Sequence, residues 1–242
     1  MALVTPGNAF VEVSSCFMEE QLISRRGGNL LKRKRIFVAI LIVIALIFVI
    51  HYINLILSNK GYEQYHSHRL MNNISTLTFS LLDNQEVFKE ILSTEALSKE
   101  QVERIHNNTY VVINFYEDYS ELAVLLRRFK RDRFSTSSAS STIEAVFNRK
   151  IAEIYETDQE SVNLDENFLN KVNTISNFNQ LWIQVLSENI KGFEILDSEY
   201  TSTEDRKSLA RNSITKDFWV ATLDMFDNRA QEHMKELTML LN

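Results

Sequence analysis

The chain has 242 residues, with 26 Lys and Arg against 32 Asp and Glu and a formal net charge of −6. Apolar residues make up 45% and charged residues 24%, a composition that folds rather than staying disordered. The single cysteine, Cys16, excludes an internal disulfide framework and a cysteine-rich zinc or iron–sulfur site. No proline follows Pro6, and after Gly28 the only glycines are Gly61 and Gly192. Sandwiches, barrels and doubly wound sheets need turn residues every dozen positions or so, and this chain does not supply them. It also lacks the GxGxxG and GxxxxGK[ST] loops that cradle nucleotide phosphates. The expected fold class is all-α.

Residues 1–35 form a tail too short to hold a domain. Its first 17 residues carry one charge, Glu12, and Met18 is an alternative start from which Cys16 would be absent. Arg25, Arg26, Lys32, Arg33, Lys34 and Arg35 close the tail. Residues 36–59 then contain no Asp, Glu, Lys or Arg, and Ile36 to Ile50 is an unbroken apolar run. About 20 apolar residues cross a hydrocarbon core of roughly 30 Å, so 36–58 reads as a transmembrane helix. A buried core helix of this length would carry a polar face. A cleaved signal peptide would have a shorter apolar region and a small-x-small cleavage site, which His51 to Tyr65 does not offer. The segment therefore reads as an uncleaved signal anchor. Its six basic residues lie on the N-terminal side and only Lys60 and Arg69 follow closely, which places the N-terminus in the cytoplasm and the remainder outside. His51 and Asn54 fall near the outer end, where polar side chains cost little.

Residues 59–242 suffice for one substantial extracytoplasmic domain. The tail holds six basic and three acidic residues, leaving 20 and 29 for the rest, a net of −9. That balance argues against a nucleic-acid partner. Leu70, Ile74, Leu77, Leu81, Asn84, Phe88 and Ile91 step by fours and threes, a heptad seam with one polar member. Asn84 either sets register or oligomer state in the core, or reaches solvent through a shift of the seam. Val102, Ile105, Thr109, Val112, Tyr116, Tyr119, Leu122, Leu126 and Phe129 repeat the rhythm, as do Phe168, Val172, Ile175, Phe178, Trp182, Leu186, Ile190 and Phe193. A last set runs from Ile214 and Phe218 to Leu237 and Leu241. Capping boxes fit at Ser98-x-x-Gln101, Ser141-x-x-Glu144 and Thr201-x-x-Glu204. The small residues Ser135 to Ser141 read as a flexible linker.

These signals place long helices at about 62–93, 99–134, 165–198 and 203–241, and a shorter one at about 142–156. The long ones span roughly 48–58 Å, which suits an antiparallel four- or five-helix bundle. The short helix has no assigned place in it, beyond the option of lying across the membrane-proximal end.

Candidate chemistry is sparse. Glu63-x-x-His66 and Glu103-x-x-His106 have the spacing of half a di-metal site, but they open two consecutive antiparallel helices and so lie at opposite ends of the bundle. No cofactor or metal is expected. There is no GxSxG or SxxK, and Cys16 lies in the tail. The aromatic residues Phe168, Phe178, Trp182, Phe193, Phe218 and Trp219 fall mostly at core spacing. One charge cluster stands out: Arg127, Arg128, Lys130, Arg131 and Arg133 close the second long helix. There they complement the helix dipole and, with the chain returning to the membrane, face lipid headgroups at about 1 kcal/mol each if those are anionic. Asn73-Ile-Ser and Asn107-Asn-Thr are glycosylation acceptors where the host glycosylates secreted chains.

The resulting expectation is a single-pass membrane protein whose helical bundle works by protein–protein interaction, as scaffold, accessory subunit or partner-sensing module. Its partners are membrane lipid and another membrane or extracytoplasmic protein, or a second copy of itself. The alternative is a small-molecule-binding sensory bundle that signals through a membrane partner. An enzyme with an unrecognised site ranks third.

Overall fold

The structure, a computed structural model, describes residues 9–129, 135–157, 160–190 and 210–241, with side chains from Arg35 onward. Contacts divide the chain into two compact units, Met1–Gly61 and Tyr62–Asn242. Among the described residues the elements are α1 (Ala9–Thr94), β1 (Ala96–Ser98), α2 (Lys99–Leu125), α3 (Ser135–Thr157), β2 (Ser161–Asn163), α4 (Glu166–Asn189), a 3-10 turn (Ser213–Thr215) and α5 (Phe218–Met239). The protein is all-α apart from the two short strands.

The first unit is described by the opening part of α1. Ile36 to Leu57 form a contiguous apolar surface whose large side chains are all exposed, Ile40 at 51% and Phe48 at 70%. An 18-residue window here has mean hydropathy 3.1 with none of it buried. One helix is thus long and apolar enough to cross a membrane, near the N-terminus.

The second unit has its own core. On α1 the expected seam residues Leu70, Ile74, Leu77, Leu81, Phe88 and Ile91 are all buried, each at 1% exposure or less. Each large apolar side chain buried in this way contributes about 1.5–3 kcal/mol. The helix ends at Thr94, and Glu95 after it is held in the left-handed region at φ 51°, its carbonyl accepting from the Leu164 amide at 2.8 Å. Ser98 then caps α2 with both halves of the capping box in place, the Gln101 amide donating to its hydroxyl at 3.2 Å and its own amide donating to Gln101 Oε1 at 2.9 Å. Between these two helices β1 pairs antiparallel with β2, Leu97 opposite Val162. This ladder ties the α1–α2 turn to the α3–α4 turn. Three-residue strands carry no readable alternation.

Several expectations need correction. The second long helix stops at Leu125, not 134, because the Arg127 and Arg128 amides turn back onto the Val124 and Ala123 carbonyls at 2.9 and 2.8 Å. This is a Schellman closure with Arg127 in the left-handed region at φ 57°. It leaves Leu126, expected in the seam, 47% exposed. The linker assigned to 135–141 is helical: α3 begins at Ser135, and Ser141, expected as a cap, lies inside it. Thr136, Ala139 and Ser140 are buried, since their small side chains allow close approach to the neighbouring helices. α3 packs against α2 and α5, not across one end.

The last helix is interrupted. Asn212 at φ 55° opens the 3-10 turn, and Lys216 is extended before α5 begins. α4 starts from an Asp165 cap that donates nothing but accepts the Phe168 amide at 2.7 Å, and it ends at Asn189. The proposed Thr201–Glu204 cap and Phe193 lie outside the described residues. Phe168, Phe178, Trp182 and Trp219 are core, as their spacing suggested, with Trp182 stacked on Phe226 at 5.6 Å; Phe218 is partly buried.

Candidate functional site

A concave feature of the second unit lies at the end where the chain enters it. His66 and Arg69 of α1 face Asp118, Tyr119, Leu122 and Leu125 of α2 across an open groove of about 250 Å³, with Glu121 on its rim. The helices bring these residues together because α1 and α2 share the seam: Asn73 Nδ2 donates to the Tyr119 hydroxyl at 3.2 Å. Burial pushes the Tyr119 phenol up to about 12, against the lowering charge of Arg69 and the Asn73 hydrogen bond, so it stays protonated at neutral pH. Arg69 and Asp118 approach to 3.8 Å with both side chains more than half exposed, a pair worth little in water. The floor is therefore apolar and the rim carries both signs of charge.

Beside the groove, Arg128 fastens the 3-10 turn. Its guanidinium donates to the Ile214 carbonyl at 2.9 Å, the Lys216 carbonyl at 2.7 Å and the Asp217 carboxylate, and lies over the Trp219 ring at 5.2 Å. Ser67 of α1 accepts the Ile214 amide at 3.2 Å, and the Ser213 hydroxyl donates to the Ser67 carbonyl at 3.0 Å. Of the five basic residues in the expected cluster, Arg128 is thus occupied within the fold and Arg127 is exposed. Lys130, Arg131 and Arg133 lie outside the described residues. Arg127 holds its left-handed conformation without the freedom of glycine, which costs about 1–2 kcal/mol. Of the proposed topology determinants, Arg35 is exposed; the side chains of Arg25, Arg26, Lys32, Arg33 and Lys34 lie outside those described.

Asn84 sits in the core at 4% exposure, where its Oδ1 accepts from Asn108 at 3.0 Å. Asn108 also donates to Asp83 at 2.7 Å, and Arg104 pairs with the same carboxylate. Burial would raise the Asp83 carboxyl, but the hydrogen bonds from Arg104 and Asn108, aided by the Arg104 charge, outweigh it and hold it below its ordinary value. The Asp83 hydrogen bond in turn raises Arg104. A second network joins α1 to α4: Asn179 donates to the Leu81 carbonyl and to Gln85 Oε1, both at 2.9 Å, and Gln85 donates to Ser176 at 2.9 Å.

The most buried carboxylate among the described residues of this unit escaped the sequence. Asp227 of α5, 1% exposed, accepts from the Tyr116 hydroxyl at 2.9 Å and from the Ser135 and Thr136 amides at 2.7 and 3.2 Å. It thereby caps the start of α3 from another helix. Nothing local marks it, because its partners lie 91 to 111 residues away. Of the two Glu-x-x-His pairs, His66 lies in the groove and His106 approaches Glu144 of α3 at 2.9 Å. Among the described residues no group of three or more His, Cys, Asp or Glu is placed to hold a metal ion. Compared with known protein families, curated proteins and solved structures, the chain matches none.

Proposed function

We propose that the chain is a single-pass membrane protein whose antiparallel helical bundle works by protein–protein interaction. In this reading residues 36–58 span the bilayer, the basic tail stays in the cytoplasm and residues 59–242 stand outside. The observation that carries it is the run of exposed apolar side chains from Ile36 to Leu57, beside a second unit that buries its own seam. Such a surface is stable only where water is absent. The bundle is supported by the pairing of Asn73 with Tyr119 and of Asp83 with Arg104, which run in opposite senses along α1 and α2. The polar groups that converge in this unit are engaged in joining helices: Asp83 with Arg104, Asp227 with the α3 amides, Asn179 with α1. That use favours an interaction module over a catalyst.

The groove at His66 and Leu125 favours one second reading, a sensory bundle that takes a small amphipathic ligand. Native mass measurement of the full chain, extracted in mild detergent from the membranes that hold it, separates the two. A second polypeptide or a second copy of the chain retained at stoichiometric amount supports interaction. Retention of a small molecule, with no protein partner, replaces it with the sensory reading.

A further inference from the structure

Most large apolar side chains among the described residues of the second unit are buried, and two pairs of exceptions fall toward one end. Leu125 is 73% exposed, more than any other large apolar side chain among the described residues, including those of the apolar segment. Leu126 follows at 47%, and Tyr62 and Tyr65 on α1 are 65% and 61% exposed. Leu125 shares the groove with His66, and Tyr65 meets the His66 ring edge-on at 5.4 Å. Leu125 thus lines the groove with His66, Leu126 follows it in the chain, and Tyr62 and Tyr65 lie within four positions of His66 on α1. The left-handed turn at Arg127 ends α2 there and keeps both leucines outside the core.

We infer that this surface docks into the interfacial layer of the bilayer that holds the anchor, an inference that rests on the membrane reading above. Chain length argues for this occupant. Tyr62 follows Ser58, the last residue of the proposed span, by four positions, and even a fully extended chain advances only about 3.6 Å per residue, about 14 Å in all. Tyr62 is thus confined near the headgroup layer, with Tyr65 three residues on, and there amphipathic rings settle with the ring among acyl chains and the hydroxyl in water. Leucines insert beside them, and Arg127 extends its charge outward along its apolar stem. Charge decides what kind of lipid is needed. Of the described charges at this end, Arg69 already approaches Asp118 and Arg128 is already held by Asp217. Docking here is apolar insertion and does not require anionic headgroups.

The test uses the full chain with Cys16→Ser, reconstituted in phosphatidylcholine vesicles and carrying one nitroxide label at a time. Labels are placed through Val43→Cys, Leu125→Cys and Tyr155→Cys. Tyr155 is the control: it is also exposed, at 58%, but lies by Lys99, about 39 Å along α2 from Leu125. Collision with dissolved oxygen, enriched in lipid, is compared with collision with a water-soluble nickel chelate. The expected result is oxygen preference at 43 and 125 and a several-fold reversal at 155, unchanged when anionic lipid is added. Lipid exposure at 43 with water exposure at 125 overturns the docking and leaves the anchor intact. Water exposure at 43 removes the anchor and the docking together. A label at 125 shielded from both agents, with dipolar broadening between copies, assigns the face to a second copy and also overturns it.

Discussion

Ile40 and Ile74 are the same side chain in the same helical element, yet the first is 51% exposed and the second 1%. What separates them is the pattern around them. Ile40 stands in an unbroken apolar run, which gives a helix no polar face to turn toward water. Ile74 belongs to a seam spaced by fours and threes, whose polar intervening residues leave one stripe for the core. Pattern, more than composition, decides whether apolar residues seek lipid or one another.

The largest effects should come from placing one charge in each region. Leu77→Asp buries a carboxylate in a closed core and should destabilise the second unit by about 4–5 kcal/mol, abolishing its thermal transition by circular dichroism. Ile44→Asp should leave that transition in place while costing membrane insertion about 3 kcal/mol, read as release of the chain by alkaline extraction. Equal unfolding of the second unit by both would erase the distinction.

Next comes Asp227→Ala, expected to cost about 3 kcal/mol, because it strands two amides of α3 and the Tyr116 hydroxyl in the core. Tyr116→Phe removes one bond and should cost about 1 kcal/mol. Denaturant midpoints of the two variants give the comparison, and equal losses would contradict the capping role.

Asp83 predicts a pH effect. Its folded carboxyl lies below the ordinary value of about 3.9, so its contribution is complete above about pH 4 and is lost as the pH falls through the folded value. Asp83→Asn should cost about 1 kcal/mol at pH 7, allowing for solvent screening at the partly exposed Arg104, and progressively less as the pH falls from about 4 toward 2. A constant deficit across that range would show that the charge is not what holds the pair. The smallest expected change is a gain: Arg127→Gly relieves a left-handed residue and should stabilise by about 0.5–1 kcal/mol in urea titrations.

How far the sequence could be read depended on the distance between interacting residues. The seam of α1, the Ser98 capping box and the aromatic core positions rest on contacts a few residues apart or on periodicity, and they were legible. The start of α3 was not, because its cap comes from Asp227 on α5. The stop of α2 was hidden too, since arginine stands where glycine would have signalled it. The break at Asn212–Lys216 depends on Arg128, Ser67 and Trp219, two of them far away in sequence. At the groove, His66 stood out through its pairing with Glu63, whereas Leu125 is marked only by falling off the seam.

The most direct test of the membrane account is protease protection in sealed inverted vesicles, with the cytoplasmic face outward. The account predicts that added protease trims only the basic tail and leaves a protected fragment from about Ile36 to Asn242, which is digested once detergent opens the vesicles. Digestion of the second unit in sealed vesicles would reverse the orientation, and recovery of the intact chain in the soluble fraction would contradict the anchor itself.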